Sequence, residues 1–88
     1  RKAALEALNA GEAALYRVNT ALGSKAGKAL DRETRTKIKE AERTLERVLK
    51  HKKADKLTPV DVNAINNARE ALSAVAAPLV ARWESEKA

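Results

Sequence analysis

The sequence predicts an all-α fold, an antiparallel three-helix bundle in one domain, and three observations support this prediction. The 88 residues include nineteen alanines and ten leucines but only two aromatic residues, and such side chains lose little rotamer freedom in a helix. Apolar residues recur at spacings of three and four along three stretches. The chain has no cysteine, so close helix packing has to replace disulfides in stabilising a domain this small.

The first predicted helix covers residues 2–22. Gly23 follows its last apolar residue, a position where a residue in the left-handed conformation commonly ends a helix. Leu5 and Tyr16 lie off the buried stripe, so they are candidates either for a contact with a second copy or for partial burial by neighbouring segments. The predicted buried stripe consists of Ala4, Leu8, Gly11, Leu15, Val18 and Leu22.

The second predicted helix covers residues 31–53, with Asp31 as its N-cap and Glu33 in its first turn. Basic residues at 50–53 (Lys-His-Lys-Lys) complement the carbonyl groups of its last turn. Ion pairs at i,i+4 are expected between Glu33 and Lys37 and between Glu46 and Lys50. Its predicted apolar face consists of Thr34, Ile38, Ala41, Leu45, Val48 and Leu49.

The third predicted helix covers residues 58–77 and has the clearest start signal in the chain. Thr58 is the predicted N-cap, Pro59 takes the first helical position, and Asp61 completes a capping box. Leu57 and Val62 are placed to form a hydrophobic staple. The inward face consists of Ile65, Ala68, Leu72, Val75, Ala76 and Leu79.

Pro78 predicts an interruption of the third helix. An interior proline removes one backbone hydrogen bond and clashes with the carbonyl group four residues earlier. We therefore expect a kink or a restart near Ala77, followed by a short helix over residues 79–85. Trp83 on that short helix is predicted to plug one end of the bundle.

The inventory of reactive side chains predicts a protein that is not an enzyme. One histidine (His51), three aspartates and no cysteine leave no catalytic triad, no thiol nucleophile and no metal cluster, so we predict no catalytic, cofactor-binding or metal-binding residues. The chain has no apolar run of eighteen residues and no signal peptide pattern, which predicts a cytoplasmic protein without a membrane span. It opens at Arg1, without Met and inside a helical pattern, which predicts a fragment of a longer chain.

The net charge of +6 is concentrated on the second predicted helix. Glu42 and Glu46 are expected within its basic stripe, where they would bond to neighbouring cations and repel phosphates. With no aromatic residue interleaved in the stripe for base stacking, we interpret it as a solvated face; the alternative is a free-standing basic bundle that binds nucleic acid or an acidic protein. Asn63, Asn66 and Asn67 are expected on the solvated face of the third helix. The basic stripe consists of Arg32, Arg35, Lys39, Arg43, Arg47 and Lys50.

The stretch Asn-Ala-Gly-Glu-Ala-Ala-Leu-Tyr at residues 9–16 resembles the long lid helix of DnaK-type chaperones, the seventy-kilodalton heat-shock protein family. The family's typical run is Asn, any residue, Ala, Glu, two variable residues, an aliphatic residue and then Tyr or Phe; Gly11 stands here where Ala is usual. The resemblance continues through residues 30–38 with Leu45 and Leu49. It ends with Ile65, the Ala71-Leu72 pair and Leu79.

The resemblance implies a non-catalytic lid subdomain that closes over the peptide-binding subdomain of the chaperone and slows the release of unfolded client peptide. It also implies that the ATPase and peptide-binding domains, and through them client proteins and co-chaperones, are the partners. The implied bundle core is Leu8, Leu15, Ile38, Leu45, Leu72 and Val75. Separated from those domains, the bundle is expected to form concentration-dependent dimers through its first helix.

Overall fold

The computed structural model describes residues 2–50 and 53–87. These residues form four α-helices, one turn of 3₁₀-helix and no β-strand, which confirms the all-α class. The elements are α1 (Lys2–Leu22), α2 (Lys25–Lys28), α3 (Arg32–Leu49), the 3₁₀ turn (Ala54–Lys56) and α4 (Pro59–Lys87).

The core lies where α4 packs against both α1 and α3, which touch each other less extensively. α3 and α4 supply the five largest fully buried side chains, whereas α1 contributes mainly small residues that let the helices approach closely. Gly11 of α1 lies beside Leu49 and Ile65, and Arg17 pairs with Glu84. The five fully buried side chains are Ile38, Leu45, Ile65, Leu72 and Leu79.

The two helix starts predicted from capping side chains can be compared with the structure. Asp31 caps α3 through the backbone N–H and the hydroxyl of Thr34, as predicted. The capping box at α4 is also confirmed: the Thr58 N–H donates to Asp61 Oδ2 at 3.1 Å, and the Asp61 N–H donates to Thr58 Oγ1 at 3.2 Å. Both helices therefore begin where their capping residues predict.

The predicted end of the second helix at Lys53 is wrong, because α3 ends at Leu49 and the backbone of Lys50 is already extended. Leu49 is the last apolar residue that can bury a side chain before Ala54, and a run of like charges follows it, so a further turn would gain little. His51 and Lys52 lie outside the described residues.

Of the two alternatives predicted for Pro78, the restart as a separate helix over residues 79–85 is wrong, because α4 runs without a break through Pro78 to Lys87; the kink stays a prediction. Pro78 and Ala74, the residue whose carbonyl group loses its donor, both lie on the exposed side of α4. Water can therefore satisfy that carbonyl group, and Leu79 and Val80 beyond the proline pack on the core. Packing of α4 on both sides of Pro78 thus keeps the helix continuous, although proline locally favours a break.

The connection between α1 and α3 contains a short helix that the sequence did not predict. α1 ends in a tight turn in which the Ser24 hydroxyl donates to the Ala21 carbonyl at 2.6 Å. Gly23 does not take the left-handed conformation, so its predicted capping role is wrong. Gly27 of α2 instead packs so closely on Leu22 that a Cβ atom there would collide with the Leu22 backbone.

Candidate interaction surfaces

The outer face of α3 carries most of the predicted basic stripe. Arg32, Lys39, Arg43, Arg47 and Lys50 are all exposed. None of them forms an ion pair with another residue in the described part of the chain. This face is therefore more open to an anionic partner than a stripe of paired charges would be.

Two predictions about charges on this face have different outcomes. The Glu33–Lys37 pair forms, with a 3.5 Å separation between Lys37 Nζ and Glu33 Oε1, whereas no ion pair joins Glu46 to Lys50. Arg35 is only partly exposed, because its guanidinium group donates a hydrogen bond to the carbonyl oxygen of Gly27 at 3.0 Å. Arg35 thus ties α3 to the connection that precedes it.

Glu42 is the clearest departure from the predicted charge pattern. It was expected among the exposed cations, but only 6% of its surface is exposed, and Oε2 has no hydrogen-bond partner. Burial raises the pKa of this carboxyl group, the nearby Glu46 raises it further, and Lys39 opposes both effects. Glu42 follows Ile38 by four residues and precedes Leu45 by three, so helical spacing alone was a signal for the buried face.

A groove between α1 and α3 borders the basic face. Its volume is about 650 Å³ and it is open to solvent. Leu15 and Leu49 contribute apolar surface, and acidic side chains from both helices reduce its positive charge. Its charged lining consists of Glu12, Arg43, Glu46, Arg47 and Lys50.

A second groove, of about 540 Å³, lies between α1 and α4. Arg17 and Glu84 pair across it with a 2.7 Å separation between Nη2 and Oε2. Arg69 also lines it, and its Nε atom is buried without a hydrogen-bond partner. The rest of the lining is small or aliphatic: Ala10, Ala13, Ala14, Val18, Ser73, Ala77, Val80 and Ala81.

Three large apolar side chains are exposed, and two of them lie on α1. Leu5 is 52% exposed and Tyr16 is 76% exposed, and their spacing of eleven residues places them on one face of the helix. The third, Val60, lies in the first turn of α4. Neither α3 nor α4 buries the Leu5 and Tyr16 side chains, so that face of α1 is available to another surface.

The remaining single-residue predictions concern α4. Trp83 is half-buried and packs against the core, as a residue that closes one end of the helices would. Asn63 and Asn67 are exposed as expected, whereas Asn66 is half-buried.

On α3, the hydrogen bond from Thr34 lowers the pKa of Asp31, which is a consequence of helix capping.

The described residues contain no group of three or more His, Cys, Asp or Glu side chains placed to hold a metal ion. Among the same residues, no helix has the length and apolar character needed to cross a membrane. Comparisons of the chain with known protein families, with curated proteins and with solved structures found no match. The surfaces described above are therefore the basis for a functional proposal.

Proposed function

We propose that this chain is a non-catalytic lid subdomain of a DnaK-type chaperone, which closes over a peptide-binding subdomain and slows the escape of unfolded client peptide. The proposal starts from the sequence resemblance at residues 9–16 and its continuation along the chain. In it, the partners are the peptide-binding and nucleotide-binding domains of a parent chaperone, with clients and co-chaperones reached through them. The proposed compartment is the cytoplasm.

We also propose how the three long helices α1, α3 and α4 are arranged. Gly11 beside Ile65 and Arg17 beside Glu84 put the early and late parts of α1 next to the early and late parts of α4. Leu49, at the end of α3, lies beside Gly11. We infer that α1 and α4 run parallel with α3 antiparallel to both, an up-down-up three-helix bundle.

One observation carries the lid proposal, namely that the motif helix has two different faces. Within the motif, Gly11 is buried against α3 and α4, and Leu15 packs on the core, whereas Tyr16 is 76% exposed. Leu5 shares the exposed face. A helix that anchors a bundle on one side and presents apolar side chains on the other is suited to joining that bundle to a neighbouring domain.

A lid of this kind works by limiting motion. When it covers the peptide site, bound peptide escapes only from the fraction of molecules in which the lid is open, so stabilising the closed state lowers the release rate in proportion. The bundle needs no reactive side chain for this, but it does need a rigid core and a stable position on the subdomain below.

A lid exchange tests the proposal. Residues 2–87 would replace the corresponding helices of a DnaK-type chaperone, and the release of a fluorescent peptide would be followed after adding excess unlabelled peptide. We expect release at least about tenfold slower than from the lidless chaperone, as expected for a lid that is closed most of the time. An unrelated three-helix bundle of equal size controls for bulk, and Leu5→Ser/Tyr16→Ser tests the exposed face. Release as fast as from the lidless protein refutes the proposal.

The unpaired cations of α3 favour a second candidate function. A free-standing bundle would bind nucleic acid or an acidic protein through the exposed basic face of α3. Glu42 is buried and does not reduce the charge of this face, and Arg43 and Arg47 form no ion pair with another described residue. Binding of this type weakens steeply with salt, because it releases counterions.

Titration with duplex DNA and with an acidic protein, at low and at moderate salt, tests this candidate. Arg43→Glu is expected to weaken binding strongly, whereas Lys37→Glu, the same change of charge at a cation already paired with Glu33, serves as the matched control. Binding of neither probe at low salt, or equal losses in the two variants, removes the candidate.

A further inference from the structure

We propose that the groove between α1 and α4 binds a second copy of this chain, packed antiparallel about a two-fold axis that passes beside Ala77. This surface is distinct from the apolar face of α1 used in the lid proposal and from the basic face of α3. It would bring two α1–α4 pairs together as a layer of four helices.

The charge pattern of α4 sets the centre of this surface. The chain is 34% charged, yet the eleven residues 71–81 carry no charge, although Ala71, Ser73, Ala74, Ala77 and Ala81 are all exposed. An exposed helix segment in such a chain ordinarily carries charged residues on its solvent side. The uncharged segment is bounded by Glu70 and Arg82, so its middle lies at residue 76.

The shape of the groove favours a helix as its occupant. Ala10, Ala13 and Ala14 line its α1 side, and Ala77 and Ala81 line its α4 side. Side chains this small let helix backbones approach closely, which increases the contact between them. Antiparallel packing about Ala77 would place the uncharged segments of the two copies directly against each other.

Two charged residues of the groove select the antiparallel direction. Arg69 lines the groove and forms no ion pair with another described residue, and Glu84 lies fifteen residues further along the same helix, about 22 Å away at 1.5 Å per residue. Their midpoint falls beside Ala77. A two-fold axis there brings Arg69 of each copy opposite Glu84 of the other, and it does so twice. Parallel α4 helices would instead bring like charges together.

Glu84 can serve both arrangements, because a carboxylate accepts several hydrogen bonds. In the single chain it pairs with Arg17, and in the dimer it would lie between Arg17 and Arg69 of the second copy.

A stable interface buries about 800 Å² on each partner, which is roughly an eighth of the 6074 Å² surface of this chain. One side of a molecule measuring 40 × 27 × 18 Å provides an area of that size.

The test has two parts and uses the 88-residue chain. Because the chain has no cysteine, Ala77→Cys introduces a single thiol, which is expected to form a disulfide-linked dimer under mild oxidation. Thr36→Cys on the outer face of α3 and Tyr16→Cys on α1 are the exposed controls, and both are expected to remain largely monomeric.

The second part measures the dissociation constant by sedimentation equilibrium. Arg69→Glu and Glu84→Arg are each expected to weaken the dimer at least about tenfold, and the double variant is expected to bind at least about threefold more tightly than either single variant, with Arg17 beside position 84 preventing full recovery. Helical content from circular dichroism verifies that each variant is folded. A parent that stays monomeric at millimolar concentration overturns the proposal, as do faster cross-linking at residue 16 or 36 and failure of the double variant to bind more tightly than either single variant.

Discussion

Replacing Glu42 by leucine is expected to stabilise this protein at neutral pH. Glu42 shares the buried face of α3 with Ile38 and Leu45, which are fully buried, and one of its carboxyl oxygens is buried without a hydrogen-bond partner. An unsatisfied buried polar group costs about 1–3 kcal/mol, and more when it is charged. The leucine variant removes this cost and adds apolar surface, so we expect a gain of about 1–3 kcal/mol at pH 7. For a domain this small, each kcal/mol corresponds to roughly 4–8 °C in Tm.

The pH dependence gives the same prediction a second readout. The folded state raises the pKa of Glu42, so ionisation of this group destabilises the fold, and the loss of stability begins at the ordinary glutamate pKa and is complete above the raised pKa. Below the ordinary glutamate pKa there is no such effect. As the pH rises through the raised pKa, the parent loses stability that the variant keeps. The stability difference should therefore widen from pH 3 to pH 7.

Chemical denaturation of both proteins across that pH range measures the difference directly, and the carboxyl groups other than Glu46, which interacts with Glu42, cancel in it. Glu40→Leu, at an exposed position of α3 two residues before Glu42, is the matched control and should change stability by less than about 0.5 kcal/mol. A Glu42→Leu variant that is less stable than the parent at pH 7, or a difference that is constant with pH, would refute the argument that this carboxylate is an uncompensated buried charge.

Three further substitutions test the packing and the helix ends. Leu45→Ala, at a fully buried position, should cost about 2–5 kcal/mol, and an unchanged Tm would contradict its place in the core. Gly27→Ala should cost about 1–3 kcal/mol in urea denaturation because its Cβ would collide with the Leu22 backbone, whereas Gly23→Ala, whose Cβ would make only ordinary contacts with the carbonyl oxygens of Asn19 and Thr20, should be neutral or slightly stabilising. Thr58→Ala breaks the capping box and should cost about 1 kcal/mol by the same assay; no loss would mean that Asp61 alone caps α4.

The sequence predicted those parts of the fold that depend on neighbouring residues. The capping signals at Asp31 and Thr58 placed two helix starts correctly, because a cap is a contact within four residues. The spacing of apolar residues likewise identified Ile38, Leu45 and Leu72 as core residues, and all three are fully buried.

The errors concern features that depend on how the helices pack and not on the preference of a single residue. Pro78 carries a local preference for a break, but the packing of Leu79 and Val80 on the core extends α4 past it. The short helix α2 was not predicted, and within it Gly27 has to lack a side chain because of the backbone of Leu22. Glu42 was assigned to solvent by its charge, although helical spacing put it with Ile38.

The burial of Glu42 also changes the balance of exposed charge on α3. With this carboxylate in the core, Glu40 and Glu46 remain as exposed acidic groups beside these cations of α3, and neither forms an ion pair with another described residue. Arg43 and Arg47 therefore present charge that no ion pair with another described residue neutralises. A surface of this kind resists self-association through α3, since it repels a second copy of itself. Association through the uncharged middle of α4 does not have to overcome such repulsion. Cross-linking at Ala77 and substitution of Arg69 and Glu84 therefore distinguish a dimer that forms through α4 from one that forms through α3.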